Sequence, residues 1–211
     1  MSIVRLLWYL RARLITALAA FLAQPVKRYT PAITIEPESL LALLRNGDVL
    51  LTEGNTRAAA LVRRMTRSPW AHVSMYVGPL KAGDDARCVV EANIGAGVRA
   101  VPLSEFEGQR VRIVRPLGLN ETDRRRLADW LVGHIGDPYD LAHAWAVGRW
   151  FLKLPAPRTM VQDAKRFICS SLLVQAFLFV GYSIATSEAR YVVPRDFESA
   201  AGFEVVKAAL G

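Results

Sequence analysis

The chain has 211 residues, 52% hydrophobic and 22% charged, a balance that excludes a disordered polymer and describes one domain with room for a tail. Its two cysteines, Cys88 and Cys169, are too few for a secreted disulfide scaffold and too far apart for a zinc knuckle, although a single bridge stays open. The formal charge is +8, yet Arg5, Arg11, Arg13, Lys27 and Arg28 lie within the first 30 residues with no acid among them, so the excess sits beside an apolar stretch, as expected for an anionic membrane surface and not for nucleic acid.

Residues 1–24 read as an apolar, amphipathic helix. Ile3, Leu7, Leu10, Leu14, Ala17 and Phe21 recur at steps of four and three and form one stripe. Trp8 and Tyr9 suit the headgroup level of a bilayer. The longest uncharged run, Leu14 to Val26, is short of the ~20 residues that a spanning helix needs. The expectation is an interfacial helix that associates the chain with a membrane, at the inner membrane or cell envelope. A cleaved signal peptide ending at Ala17-Leu18-Ala19, or a helix packed on its own domain or on a partner subunit, are the alternatives. Pro25 and Pro31 end this segment, giving a helix and linker over 1–30 and a folded domain over 31–211.

Within the domain, Asn46-Gly47-Asp48 introduces a strand at Val49–Glu53, and Thr56–Thr66 reads as a helix. Strands are expected at Ala71–Val77, Arg87–Asn93, Val98–Leu103 and Val111–Arg115, the last closed by Pro116. Gly95-Ala96-Gly97 joins two of them as a hairpin turn and lacks the strand-to-helix context of a phosphate loop. Helical patterns follow. Asn120 and Asp123 cap a helix whose apolar face is Leu127, Trp130 and Leu131, ending at Gly136-Asp137-Pro138. Leu141–Leu152, Ser170–Val180 and Pro194–Ala201 are further helices, with Pro155 and Pro157 marking a loop. Strands first and helices second give an α+β fold, an antiparallel sheet or small barrel packed against helices.

Cys169 stands where a basic-apolar segment meets the start of a helix. A thiol in a helix's first turn faces unpaired N–H groups and the positive dipole end, which favour the nucleophilic thiolate. His72 sits mid-strand on the face it shares with Ser74 and Tyr76, opposite Val73, Met75 and Val77. Glu91 lies among β-formers in the next strand, a costly place for a carboxylate unless a cation faces it. If the strands are neighbours, Glu91 orients His72 and His72 serves Cys169, a nucleophile, base and orienting group. Cys88 reads as a core residue, Asp48 as a turn cap, and His134 and His143 as packing or surface histidines without metal-ligand spacing. The Arg124-Arg125-Arg126 run reads as a solvated helix face.

Five motifs in order carry a resemblance: Asn46-Gly47-Asp48-Val49-Leu50, Trp70 to Gly78, Val90-Glu91-Ala92, Gly136-Asp137-Pro138-Tyr139-Asp140 and Phe167 to Leu172. Over about residues 46–180 the chain resembles the circularly permuted papain-fold hydrolases. These form the YiiX/YebB-like branch of the NlpC-type cysteine peptidases and amidases, in which histidine precedes cysteine. The resemblance implies Cys169 as nucleophile, His72 as general base and Glu91 as third polar member. It places Tyr139, with Ser170 and Trp70, at the substrate or oxyanion site, and requires no metal and no organic cofactor. An acidic residue often stands two places after the nucleophile in this group; Ser171 stands there here.

The implied activity is thiol hydrolysis of an amide, in a cell-envelope peptide, through an acyl-thioester. Two other readings stay open: a lipid-directed acyltransferase, thioesterase or phospholipase of the lecithin–retinol acyltransferase type, and a non-enzymatic membrane-docked binding module. The expected partners are a peptide or lipid-like acyl substrate and a membrane surface reached through residues 1–24.

Overall fold

The computed structural model describes residue 13 and residues 17–26, 37–80, 88–151, 153, 166–184 and 191–206. Most of the expected leading helix therefore lies outside the described residues, as do Pro31, Pro155 and Pro157.

Helix α1 (Pro37–Leu43) precedes β1 (Val49–Thr52), α2 (Arg57–Thr66), β2 (His72–Tyr76), β3 (Val89–Asn93) and β4 (Gly97–Val101). A 3-10 turn (Leu103–Phe106) leads to β5 (Val111–Pro116). Then come α3 (Glu121–Gly133), α4 (Leu141–Phe151), α5 (Cys169–Phe179), α6 (Pro194–Ser199) and β6 (Phe203–Val205). The six strands form one sheet in the order β4-β3-β2-β1-β5-β6, every pair antiparallel. The fold is α+β, as expected.

Both sheet faces are covered, so β1 is buried at all four positions and shows no polar face. Val49, Leu51, Val73, Met75, Val90 and Val98 meet Leu127 and Leu131 of α3, Leu172, Leu173 and Phe177 of α5, and Phe197 of α6. On the other face Leu50, Tyr76, Val89, Val101 and Ile113 pack with Leu40 of α1 and with Phe106. Cys88 belongs to this second core, where burial pushes its thiol up despite a backbone hydrogen bond at Leu103.

Local chemistry starts these helices, at Asn120 as anticipated. Thr56 accepts from the N–H of Ala59 and caps α2; Asn120 accepts from that of Asp123 and caps α3. Helix α1 is not among the expected elements, and two further elements differ from the sequence reading. Leu103 starts the 3-10 turn after Pro102, whose ring cannot donate to a ladder, so β4 stops at Val101. And β5 is not the last strand: β6 pairs with it through Val114↔Val205 and Pro116↔Phe203. That strand has three residues, too few for alternation to register, and exists through pairing and the burial of Phe203.

Asp48 does more than cap a turn. It is fully buried, accepts from the N–H of Arg45 at 2.9 Å, and receives Arg115 Nε and Nη2 at 2.8 and 2.6 Å. Arg115 and Arg124 also donate to the carbonyls of Leu43, Asn46 and Pro116, tying the entry to β1, the end of β5 and α3 together. Removing one partner of a buried pair strands the other charge. Asp48→Ala is therefore expected to cost about 3 kcal/mol, read from the denaturant midpoint at unchanged slope.

Candidate active site

The expected trio meets at the end of the sheet where β2 begins and β3 ends. Strands β2 and β3 are neighbours, as the sequence reading required. Nε2 of His72 lies 2.7 Å from Oε2 of Glu91, and Cys169 is near enough to the ring to act on its charge state. Cys169 is a free, half-buried thiol and the first residue of α5. Helix geometry leaves the N–H groups of a first turn without intrahelical acceptors, so the sulfur sits beside unsatisfied donors and the positive dipole end.

How Cys169 reaches His72 depends on a short connection outside the sheet. The N–H of Asp140 donates to the carbonyl of Phe167 at 2.9 Å, and Tyr139 forms an isolated parallel bridge with Phe167. The same segment is fastened to β4: the N–H of Val98 donates to the Asp137 carbonyl at 2.8 Å, and that of Gly136 to the Val98 carbonyl at 2.9 Å. Gly97 permits this approach. Its φ is +71°, and a Cβ there would lie 2.3 Å from the Asp137 carbonyl oxygen. The hairpin, the Asp137–Asp140 segment and the start of α5 thus hold the sulfur at the sheet end.

Glu91 has a second cation that the sequence reading missed. Arg99 donates from Nε to Oε1 of Glu91 at 2.9 Å, and Asn93 Nδ2 donates to the same oxygen at 3.2 Å. Arg99 is itself held by Glu105, Nη2 to Oε2 at 2.8 Å. The signal was present in the hairpin: a register with Asn93 opposite Gly97 puts Glu91 directly opposite Arg99, an opposite-charge cross-strand pair.

These contacts set the charge state. Burial alone would deprotonate His72, but the Glu91 charge and the hydrogen bonds of Cys169 and Glu91 overcome it and push His72 up to about 10. Burial also disfavours an ionised Glu91, whose side chain is 5% exposed, yet His72 and then Arg99 hold it down at about 2. His72 is an imidazolium at neutral pH. Burial first, then the nearby charges of Cys169 and Asp140, raise the Tyr139 hydroxyl, which stays protonated and able to donate.

Ser170 and Trp70 do not line an open site. Ser170 is buried in the first turn of α5, while Ser171 Oγ accepts from the N–H of Ile168 at 3.0 Å and braces that turn. Trp70 is 1% exposed; its Nε1 donates to Glu198 of α6 at 2.6 Å, and Glu198 also pairs with Arg112. A large ring with one donor finds a packed pocket and a carboxylate here, so Trp70 joins α6 to the sheet instead of meeting substrate. His134 pairs with Asp137 at 2.7 Å and packs on Trp130, and His143 is buried, in keeping with packing roles.

The shifts fix how stability follows pH. The raised His72 contributes fully below its unfolded value near 6.5 and loses that contribution as pH rises toward about 10; the lowered Glu91 contributes fully above about 4.5 and loses it as pH falls toward about 2. The pair is worth most between those two unfolded values. By NMR titration His72 should stay protonated well above pH 8, and in Glu91→Gln it should release its proton at least ~2 units lower, since removing the carboxylate leaves burial to dominate.

The profile of a family described as permuted papain-like amidase enzyme, YaeF/YiiX, C92 family, matches residues 43–204. A solved structure titled as that of the metalloprotein YiiX from Escherichia coli O157:H7 is similar in fold, with a TM-score of 0.58 at 16% identity, covering 80% of this chain and 99% of that one. A comparison with curated proteins returns no match.

Proposed function

This chain belongs to the permuted papain-like amidase family and is thus a cysteine amidase- or peptidase-like enzyme, and on that premise we propose that it cleaves an amide bond in a cell-envelope peptide through Cys169, His72 and Glu91. One observation carries the reading: a single imidazole is hydrogen-bonded to a buried carboxylate and lies within electrostatic reach of the half-buried thiol that opens α5.

In the proposed cycle, Glu91 holds Nε2, which leaves Nδ1 to serve the sulfur. The Cys169 thiolate attacks the amide carbonyl while His72 keeps the proton. The tetrahedral oxyanion is met by first-turn N–H groups of α5 and by the Tyr139 hydroxyl. Collapse breaks the C–N bond, His72 protonates the leaving amine, and a thioester to Cys169 remains. A water molecule then attacks the thioester and gives its proton to His72, and collapse releases the carboxylic acid and the Cys169 thiolate, restoring the starting ion pair. Arg99 acts at one remove, keeping Glu91 charged and its Oε2 aimed at the ring.

The name of the structural relative raises the question of a metal. The residues here do not fit one. No group of three His, Cys, Asp or Glu side chains that can hold an ion occurs among the described residues, and the donors of His72 and Glu91 are engaged with each other and with Arg99. No step of the cycle passes through a metal.

Incubation with muropeptides and, separately, with phospholipid tests the substrate. The expected result is peptide cleavage that falls at least ~10³-fold in Cys169→Ala; fatty-acid release without peptide cleavage would instead select the lipid-directed reading. Iodoacetamide should label Cys169 faster than free cysteine at mildly acidic pH, leave Cys88 untouched, and lose that advantage in His72→Ala. Equal rates for Cys169 and free cysteine would count against any thiol mechanism. Arg99→Ala should lower kcat/KM about tenfold, the equivalent of one charge-assisted hydrogen bond, with Arg99→Lys recovering part because it keeps the charge and loses the fork.

A further inference from the structure

The described part of the leading segment, residues 17–26, is fastened to α2. The N–H of Val26 donates to the Asn55 carbonyl at 2.7 Å, and that of Arg57 to the Gln24 carbonyl at 3.0 Å. Pro25 forms an antiparallel bridge with Thr56. The Arg57 guanidinium lies 4.0 Å from the centroid of the Phe21 ring. Residues 17–22 are helical and leave Leu18 53% and Phe21 50% exposed.

Helix α2 continues the same surface. Ala59 and Thr66 are its buried positions, and at 100° per residue Arg57, Leu61 and Arg64 fall together on the opposite side. Leu61 is 49% exposed. Arg64 is exposed and has no ion-pair partner among the described residues. The charge here is uncompensated in sequence too: no acid occurs from residue 54 to residue 83, and none precedes Glu36. Arg57, Arg63, Arg64 and Arg67 all lie in that interval.

Apolar side chains set singly among arginines do not suit a protein partner, whose interface core is contiguous and poor in charge. A nucleic acid would satisfy the arginines but offers nothing to Leu18 and Leu61. A bilayer of anionic lipid satisfies both: apolar side chains sink to the acyl boundary and guanidinium groups meet phosphates. No helix among the described residues is long and apolar enough to cross a membrane.

We propose that the outer face of α2, with Arg57, Leu61 and Arg64, docks together with Leu18 and Phe21 on an anionic phospholipid bilayer, so that the catalytic domain itself contacts lipid. Full-length protein is sedimented with phosphatidylcholine vesicles, with and without phosphatidylglycerol, at rising salt. The expected result is binding only to vesicles with phosphatidylglycerol, weakened by salt, and reduced about thirty-fold in Arg57→Gln/Arg64→Gln, the equivalent of ~1 kcal/mol per cation. Leu61→Ser, checked for folding by circular dichroism, should also weaken it. Cys169→Ala should bind like the parent, which separates this result from the chemistry. Unchanged binding in the arginine variant would mean that the residues before α2 act alone; equal binding to neutral vesicles, self-association through this face, or a preference for nucleic acid would each overturn the proposal.

Discussion

A carboxylate almost closed off from water is tolerated only when cations surround it, and the candidate site is organised around Glu91 in that position. One oxygen is taken by Arg99 and Asn93 and the other by His72. Remove that negative charge and burial would leave the imidazole neutral; with it, the ring carries a proton that it can give away. The neighbouring Cys169 sits beside that ring at the start of its helix. In the proposed cycle the sulfur would thus depend on a pair of β-strands that it does not belong to.

The rest of the fold holds those strands still and delivers the sulfur to them. Burial on both faces leaves the central strands no freedom to slip, because a shift of one residue would exchange the two cores. The clamp of Asp48 with Arg115 ties β1 to β5 and the loop before it. Trp70 and Glu198 join the last helix to the start of β2, next to the histidine. On the other flank the bridge between Tyr139 and Phe167 and the close approach at Gly97 set where α5 begins. A site built this way is rigid by construction, as preorganised hydrogen bonding to a developing charge requires.

Much of this was legible in the chain before any coordinates. Alternation exposed β2, and a histidine on its polar face had no place in a core; a glutamate among β-formers demanded a cation; a cysteine at the head of an apolar helix announced its environment. What could not be read was whatever depends on distant pairing. Strand β6 is too short to carry a period, and α1 is a two-turn helix that carries Leu40 into the second core. The partner of Trp70 could not be read, because nothing nearby in sequence shows that Glu198, far down the chain, would claim its N–H. Arg99 is the exception, since hairpin register alone placed it opposite Glu91.

Chain order gives this arrangement a further property. His72, Glu91 and Arg99 lie within one meander completed by residue 101, so their contacts are local and close early, whereas Cys169 joins only after three further helical or turn elements have formed. During synthesis from the amino terminus His72, Glu91 and Arg99 are therefore brought together on an antiparallel scaffold before Cys169 is made. The sulfur emerges last and meets its partner only as α5 docks.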